Sequence, residues 1–153
     1  MIKETAEDRV NEERICREFV EPYFHCKAVK LPQFGIDRCL IRDSLLNPEI
    51  IGFAEVKATT YRHGEVDLRP QRKAQYDRLL ELSNATRCPG YVIVGWHDGK
   101  IYSVFDVTKA PSYPPVFDAY DPTGETLRIP LDWYRTYTMH EGVAVPHIRR
   151  GSV

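Results

Sequence analysis

Ile50-Ile51-Gly52-Phe53-Ala54-Glu55-Val56-Lys57 is an apolar run that ends on a carboxylate and an ammonium. Every residue of the run before Glu55 is apolar or glycine, so the strand it predicts is covered on both faces. Side chains alternate along a strand, and Glu55 and Lys57, two apart, therefore leave the same face. Two charges at the end of a covered strand are costly unless they serve each other, a metal or a substrate.

A third charge lies upstream. Asp37 follows Phe34-Gly35-Ile36 and heads a second strand-like run, Arg38-Cys39-Leu40-Ile41-Arg42. With Ser44-Leu45-Leu46-Asn47-Pro48 as the connecting loop, Asp43 faces Glu49 and paired residue numbers sum to 92, which sets Asp37 opposite Glu55. Cross-strand neighbours have Cβ atoms about 4.5–5.5 Å apart. Two carboxylates at that separation repel unless a cation lies between them. Hard oxygen ligands suit Mg²⁺, with Mn²⁺ substituting. A slip of one residue would turn Asp37 to the other face, so the inference depends on the loop. An aspartate and a Glu-x-Lys across a hairpin form the pattern of a metal-dependent phosphodiesterase.

On these residues the chain resembles the PD-(D/E)XK nuclease superfamily, over roughly residues 10 to 107. The resemblance implies an α/β, restriction-endonuclease-like core in αβββαβ order, with a central mixed sheet of four to five strands flanked by helices. The core would span residues 1–110, and residues 111–153 would be a C-terminal extension packed on the same domain. Asp37 corresponds to the family's acidic residue on the second strand, and Glu55 and Lys57 to its Glu-x-Lys. Gly35-Ile36 stand where the motif's proline is often written. The activity implied is nuclease activity, cutting nucleic acid to leave a 5′-phosphate and a 3′-hydroxyl. DNA is favoured and RNA left open. Resolvase-like members act as homodimers. The cation would be held by Asp37, Glu55 and the Val56 carbonyl, with Lys57 orienting water and offsetting charge in the transition state.

The remaining elements follow from periodicity. Val10, Ile15, Cys16, Phe19 and Val20 predict a helix over residues 5–21, stopped by Pro22. Residues 24–31 read as a strand and Tyr61–Val66 as a polar loop. A second helix is expected from Asp67 or Arg69 to about Asn84, with Pro70 in its first turn. Tyr91–His97 and Ile101–Val107 read as a hairpin around Asp98-Gly99. A proline-rich connector, Pro111–Pro115, leads to short pieces at Thr126–Pro130 and Leu131–Tyr137.

On the second helix Gln71, Gln75, Leu79 and Leu82 share a stripe, which predicts that both amides face the sheet near Glu55. Gln75 is the stronger candidate for the site. Arg69, Arg72 and Lys73 give this region a local positive end for phosphate contacts; a solvated helix face is the plainer reading of each. Superfamily members often bring a first-helix glutamate to the metal. Glu13 is the residue chosen here, with Glu12 on a neighbouring stripe and Glu18 behind them. Acids near a helix N-terminus also arise simply from the dipole.

Five histidines (His25, His63, His97, His140, His147) show no metal-ligand spacing; His63, in the loop after the Glu55 strand, is the one substrate-contact candidate. Tyr91, Trp96, Tyr102 and Phe105 read as core before they read as base-stacking rings. Trp133-Tyr134 and Arg149-Arg150 read as a packed aromatic pair and a basic tail. Gly35 and Gly52 suit close packing, and no P-loop or dinucleotide fingerprint is present.

Composition agrees with an intracellular, cytoplasmic protein, and by analogy with compact stand-alone nucleases the resemblance implies a phage, mobile-element or repair enzyme. Charged residues make up 28% and apolar ones 42%, which excludes a disordered chain. A net charge of −1 excludes a general basic coat, so any nucleic-acid face must be local. Cys16, Cys26, Cys39 and Cys88 are scattered without a Cys-x-x-Cys pair, pointing to free thiols. No run suggests a membrane span or a signal peptide. The competing function class is a nuclease-like fold that binds nucleic acid or protein without catalysis; the presence together of Asp37, Glu55 and Lys57 argues against it.

Overall fold

The apolar run forms most of an eleven-residue strand, Pro48–Ala58, inside a seven-stranded sheet. The computed structural model describes residues 6–31, 36–43, 47–97, 99–115 and 126–147. Its elements are α1 (Ala6–Ile15), a π-helical turn (Cys16–Val20), α2 (Glu21–Phe24), β1 (Lys27–Lys30), β2 (Arg38–Asp43), β3 (Pro48–Ala58), β4 (Leu68–Arg72), α3 (Lys73–Thr86), β5 (Gly90–Gly95), β6 (Ile101–Asp106), β7 (Thr126–Pro130), β8 (Arg135–His140) and β9 (Val143–Pro146). Strand order in the large sheet is β1-β2-β3-β5-β6-β8-β9. Among the described residues only β3 and β5 pair in parallel, and α3 lies on the crossover between them. The chain is thus α/β with a mostly antiparallel sheet. Seven strands exceed the four to five expected, because β8 and β9 of the C-terminal segment join the same sheet through β6.

Alternation along β3 sorts the core into two layers. Ala54 and Val56 pack with Ile15, Cys16, Phe19 and Val20 of the first helical segment. Phe53 faces the other way, into the layer that holds Tyr76 and Leu79 of α3. Glycine sets how closely α3 approaches. A Cβ on Gly90 would lie 2.3 Å from Ser83 Oγ and 3.0 Å from Leu79 Cγ.

The β2–β3 hairpin departs instructively from the expected register. Near the loop Asp43 pairs with Pro48, Arg42 with Glu49 and Ile41 with Ile50, one residue off the expected sum of 92. A bulge between Leu40 and Ile41 then leaves Ile51 unpaired, and Leu40↔Gly52, Cys39↔Phe53 and Arg38↔Ala54 all sum to 92. Continued by one step, this register sets Asp37 across from Glu55. Residues 44–46 of the loop, and Phe34 and Gly35 before Asp37, lie outside the described residues.

Two helix boundaries also differ from expectation. The first helical segment does not stop at Pro22 but runs to Phe24, ending at His25 in the left-handed region (φ 52°, ψ 54°). The π-turn over Cys16–Val20 widens the helix where the proline ring would otherwise meet the carbonyl of Glu18. Val10, assigned to the buried stripe, is 64% exposed. The second helix begins at Lys73, not at Asp67 or Arg69. Pro70 biases Arg69 toward extended backbone, and β7 offers that segment a partner, with Arg69↔Ile129 and Gln71↔Leu127 in register. Tertiary pairing overrides local helix propensity here. No helix of the described residues is long and apolar enough to cross a membrane.

Candidate active site

Asp37 sits at the bend that opens β2, and its Oδ2 accepts a hydrogen bond from the Val56 amide at 3.0 Å. Strand pairing to β3 ends at Arg38↔Ala54, so the carboxylate takes the amide that the next rung of the ladder would have used. A strand residue directs its N–H and C=O to the same edge. The Val56 carbonyl therefore leaves β3 on Asp37's side.

Glu55 is 0% exposed, and neither of its carboxylate oxygens has a hydrogen-bond partner. Burial pushes its carboxyl up to about 9, the adjacent Asp37 charge adds to the rise, and Lys57 opposes it. A buried acid without a partner is rare and costly. Lys57, half-buried on the same face, is close enough for its ammonium to favour the Glu55 carboxylate. The structure thus brings Asp37, Glu55, Lys57 and the Val56 carbonyl together, and the donor set is all oxygen, which fits a hard divalent cation.

The glutamines come from two elements. Gln71 lies on β4, not on the helix, and is 4% exposed; its Nε2 donates to Oε1 of the half-buried Gln75 on α3 (3.2 Å). That bond leaves the Gln75 amide group as a donor. Of the basic residues, Arg72 is exposed. Lys73 Nζ pairs with Asp77 Oδ2 at 2.6 Å and lies 5.8 Å from the Tyr113 ring centre. Arg69 does not join the exposed charges. Its guanidinium stacks 5.9 Å from the Trp96 ring centre, Nη1 donates to Thr59 Oγ1 (3.1 Å), and Nε is buried without a partner. Burial lowers its pKa.

The first helical segment packs against the opposite face of β3. Glu13 is exposed, whereas Glu12 is 5% exposed and turned inward. Among the described residues no third His, Cys, Asp or Glu completes a metal-binding group with Asp37 and Glu55. Glu13 is therefore not brought to the pair, because the helix presents position 12 rather than 13 to the sheet. Sequence reasoning missed Arg38, which is 3% exposed, donates from Nη1 to the Asp37 carbonyl (3.0 Å) and lies against Cys16. Its signal was parity: Arg38 alternates with Leu40 on the face turned to α1.

His63 packs edge-on against Trp96 (5.2 Å between ring centres) and against His147 (5.1 Å). Trp96 Nε1 donates to Ser103 Oγ, so this ring is core, as expected. Trp133 and Tyr134 both pack on Phe105. Arg149 and Arg150 lie outside the described residues. All four cysteines are free; burial raises Cys16 and Cys39, and pushes Cys26 to about 11. Comparison with protein-family models, with curated proteins and with solved structures gives no match to this chain.

Proposed function

We propose that the chain is a metal-dependent nuclease of restriction-endonuclease-like type, hydrolysing phosphodiester bonds of nucleic acid, with DNA the favoured substrate. The observation that carries this reading is the buried Glu55 carboxylate, both oxygens without a partner, beside Asp37 and Lys57. A module that only bound nucleic acid would gain nothing from burying that acid next to another. Asp37, Glu55 and the Val56 carbonyl would hold Mg²⁺, with Mn²⁺ substituting. When bound, such a cation offsets charge on a phosphate oxygen and acidifies water.

The chain's own groups supply the rest. The Val56 amide fixes the rotamer of Asp37. Lys57 orients water and offsets negative charge as it builds on the phosphate. Gln71 holds Gln75 and leaves its amide group as a donor for substrate or water. Arg72 contributes charge for backbone phosphates, and Lys73 does so when it exchanges Asp77 for phosphate. The test is incubation with labelled single-stranded, duplex, flap and four-way DNA and with RNA, in Mg²⁺, Mn²⁺ or EDTA. Cleavage of at least one substrate with either cation, and none in EDTA, is expected. Cleavage that survives EDTA overturns the mechanism.

A further inference from the structure

Beyond Lys57, the same face of β3 leads to a cleft of about 510 Å³ between the loop after β3 and the C-terminal strands. His63, Asp67, Asp132, Tyr134, Thr136 and His147 line it. It is tied to the candidate site through a continuous set of contacts. Thr59, two residues past Lys57, accepts from Arg69; Arg69 stacks on Trp96; and Trp96 meets the edge of His63. From Glu55 to Thr59 is four residues of strand, about 13 Å. Thr59 only begins that path, and the cleft lies beyond it by the Arg69, Trp96 and His63 contacts, so a bound strand spans several nucleotides between the two.

The lining has the chemistry of a base site rather than a phosphate site. Three flat rings, His63, His147 and Tyr134, stand in its wall. Unpaired bases are held by stacking on such rings and by hydrogen bonds to their edges. Two carboxylates, Asp67 and Asp132, would repel a phosphate but accept from an exocyclic amino group, as on cytosine. The Tyr134 side chain is 8% exposed, and its hydroxyl is buried without a hydrogen-bond partner. That hydroxyl is closed off from solvent and lies toward Arg69 and Tyr76, so what Tyr134 offers the cleft is its ring.

We infer that this cleft receives an unpaired nucleobase carrying an amino group, several nucleotides along the strand from the scissile phosphate. The inference rests on the nuclease reading for its substrate, and it makes single-stranded or locally unpaired DNA the preferred form. Thymine, with a lone N–H between two carbonyls, meets the two carboxylates poorly, whereas cytosine, adenine and guanine each offer an amino group.

The test is equilibrium binding of labelled dC12, dA12 and dT12 to the intact chain in EDTA, by fluorescence anisotropy. dC12 and dA12 should bind at least fivefold more tightly than dT12. The double substitution Asp67→Asn with Asp132→Asn should bring the three within about twofold. Competition by free dCMP over dTMP on the unaltered protein gives the same readout without relying on the variant's folding. Equal affinity for dT12, equal competition by the two nucleotides, or a preference unchanged in a folded double variant would overturn the inference. Mg²⁺-dependent cleavage without base preference removes the cleft assignment alone. Base preference without cleavage in any cation removes the nuclease reading alone.

Discussion

Glu55 carries the argument at the scale of a single residue. Folding raises its carboxyl from 4.5 to about 9, so between those values the folded chain holds a proton that the unfolded chain has released. The sign follows from linkage. Without metal, this group's contribution to stability is full below about pH 4.5, falls as pH rises and is gone by about 9, at up to about 1.4 kcal/mol per pH unit. Urea melts of the metal-free protein at pH 5 and pH 8.5 should show this loss, and Glu55→Gln should flatten it. A wild-type profile no steeper than that of Glu55→Gln contradicts the burial argument. The same proton competes with a cation, so Mn²⁺ affinity should rise by up to about tenfold per pH unit from 7 to 9. Lys57→Ala separates chemistry from architecture. Turnover should fall strongly while Mn²⁺ still binds; a variant that loses thermal stability yet keeps its activity would make Lys57 a structural partner instead.

At the scale of elements, packing against glycine offers a sharp contrast. Gly90→Ala places a methyl 2.3 Å from Ser83 Oγ and against Leu79, pushing α3 away from β5. We expect a loss of about 1–3 kcal/mol in urea unfolding. Gly142→Ala meets open space and pays only for its positive φ of 78°, about 1 kcal/mol. Equal losses would mean that α3 is not seated on β5 as described. The elements also show what could be read from the chain. β3 was legible because burial on both faces over Gly52–Val56 favours an apolar run, although Ile50 at its start is 49% exposed, and the face shared by Glu55 and Lys57 follows from a period of two. The register at Asp37 was reached through an expected pairing that is off by one at the loop and restored by the bulge at Ile51, which no local signal announces. The start of α3 was not legible because its competitor, β7, lies more than fifty residues away in the chain. Choosing Glu13 over Glu12 turned on one residue of helix phase, about 100°. The β8–β9 hairpin did have a signal, Glu141-Gly142, both at positive φ.

At the scale of the whole molecule, a chain of net charge −1 that acts on nucleic acid, as proposed, must confine those contacts to one region. The exposed Arg72 stands at the head of α3, beside the glutamine pair. Arg72→Ala should weaken binding across sequences alike and reduce the salt slope by about one; a sequence-dependent loss would contradict a phosphate role. The central claim is that two carboxylates from neighbouring strands act as one metal-dependent centre. It is tested most directly by the single-turnover cleavage rate of the best DNA substrate in Mg²⁺, compared among wild type, Asp37→Asn and Glu55→Gln, with folding checked by circular dichroism. The account predicts at least about a hundredfold loss in each variant, with the fold retained, if metal positioning supplies several kcal/mol. Wild-type rates in either folded variant would contradict it.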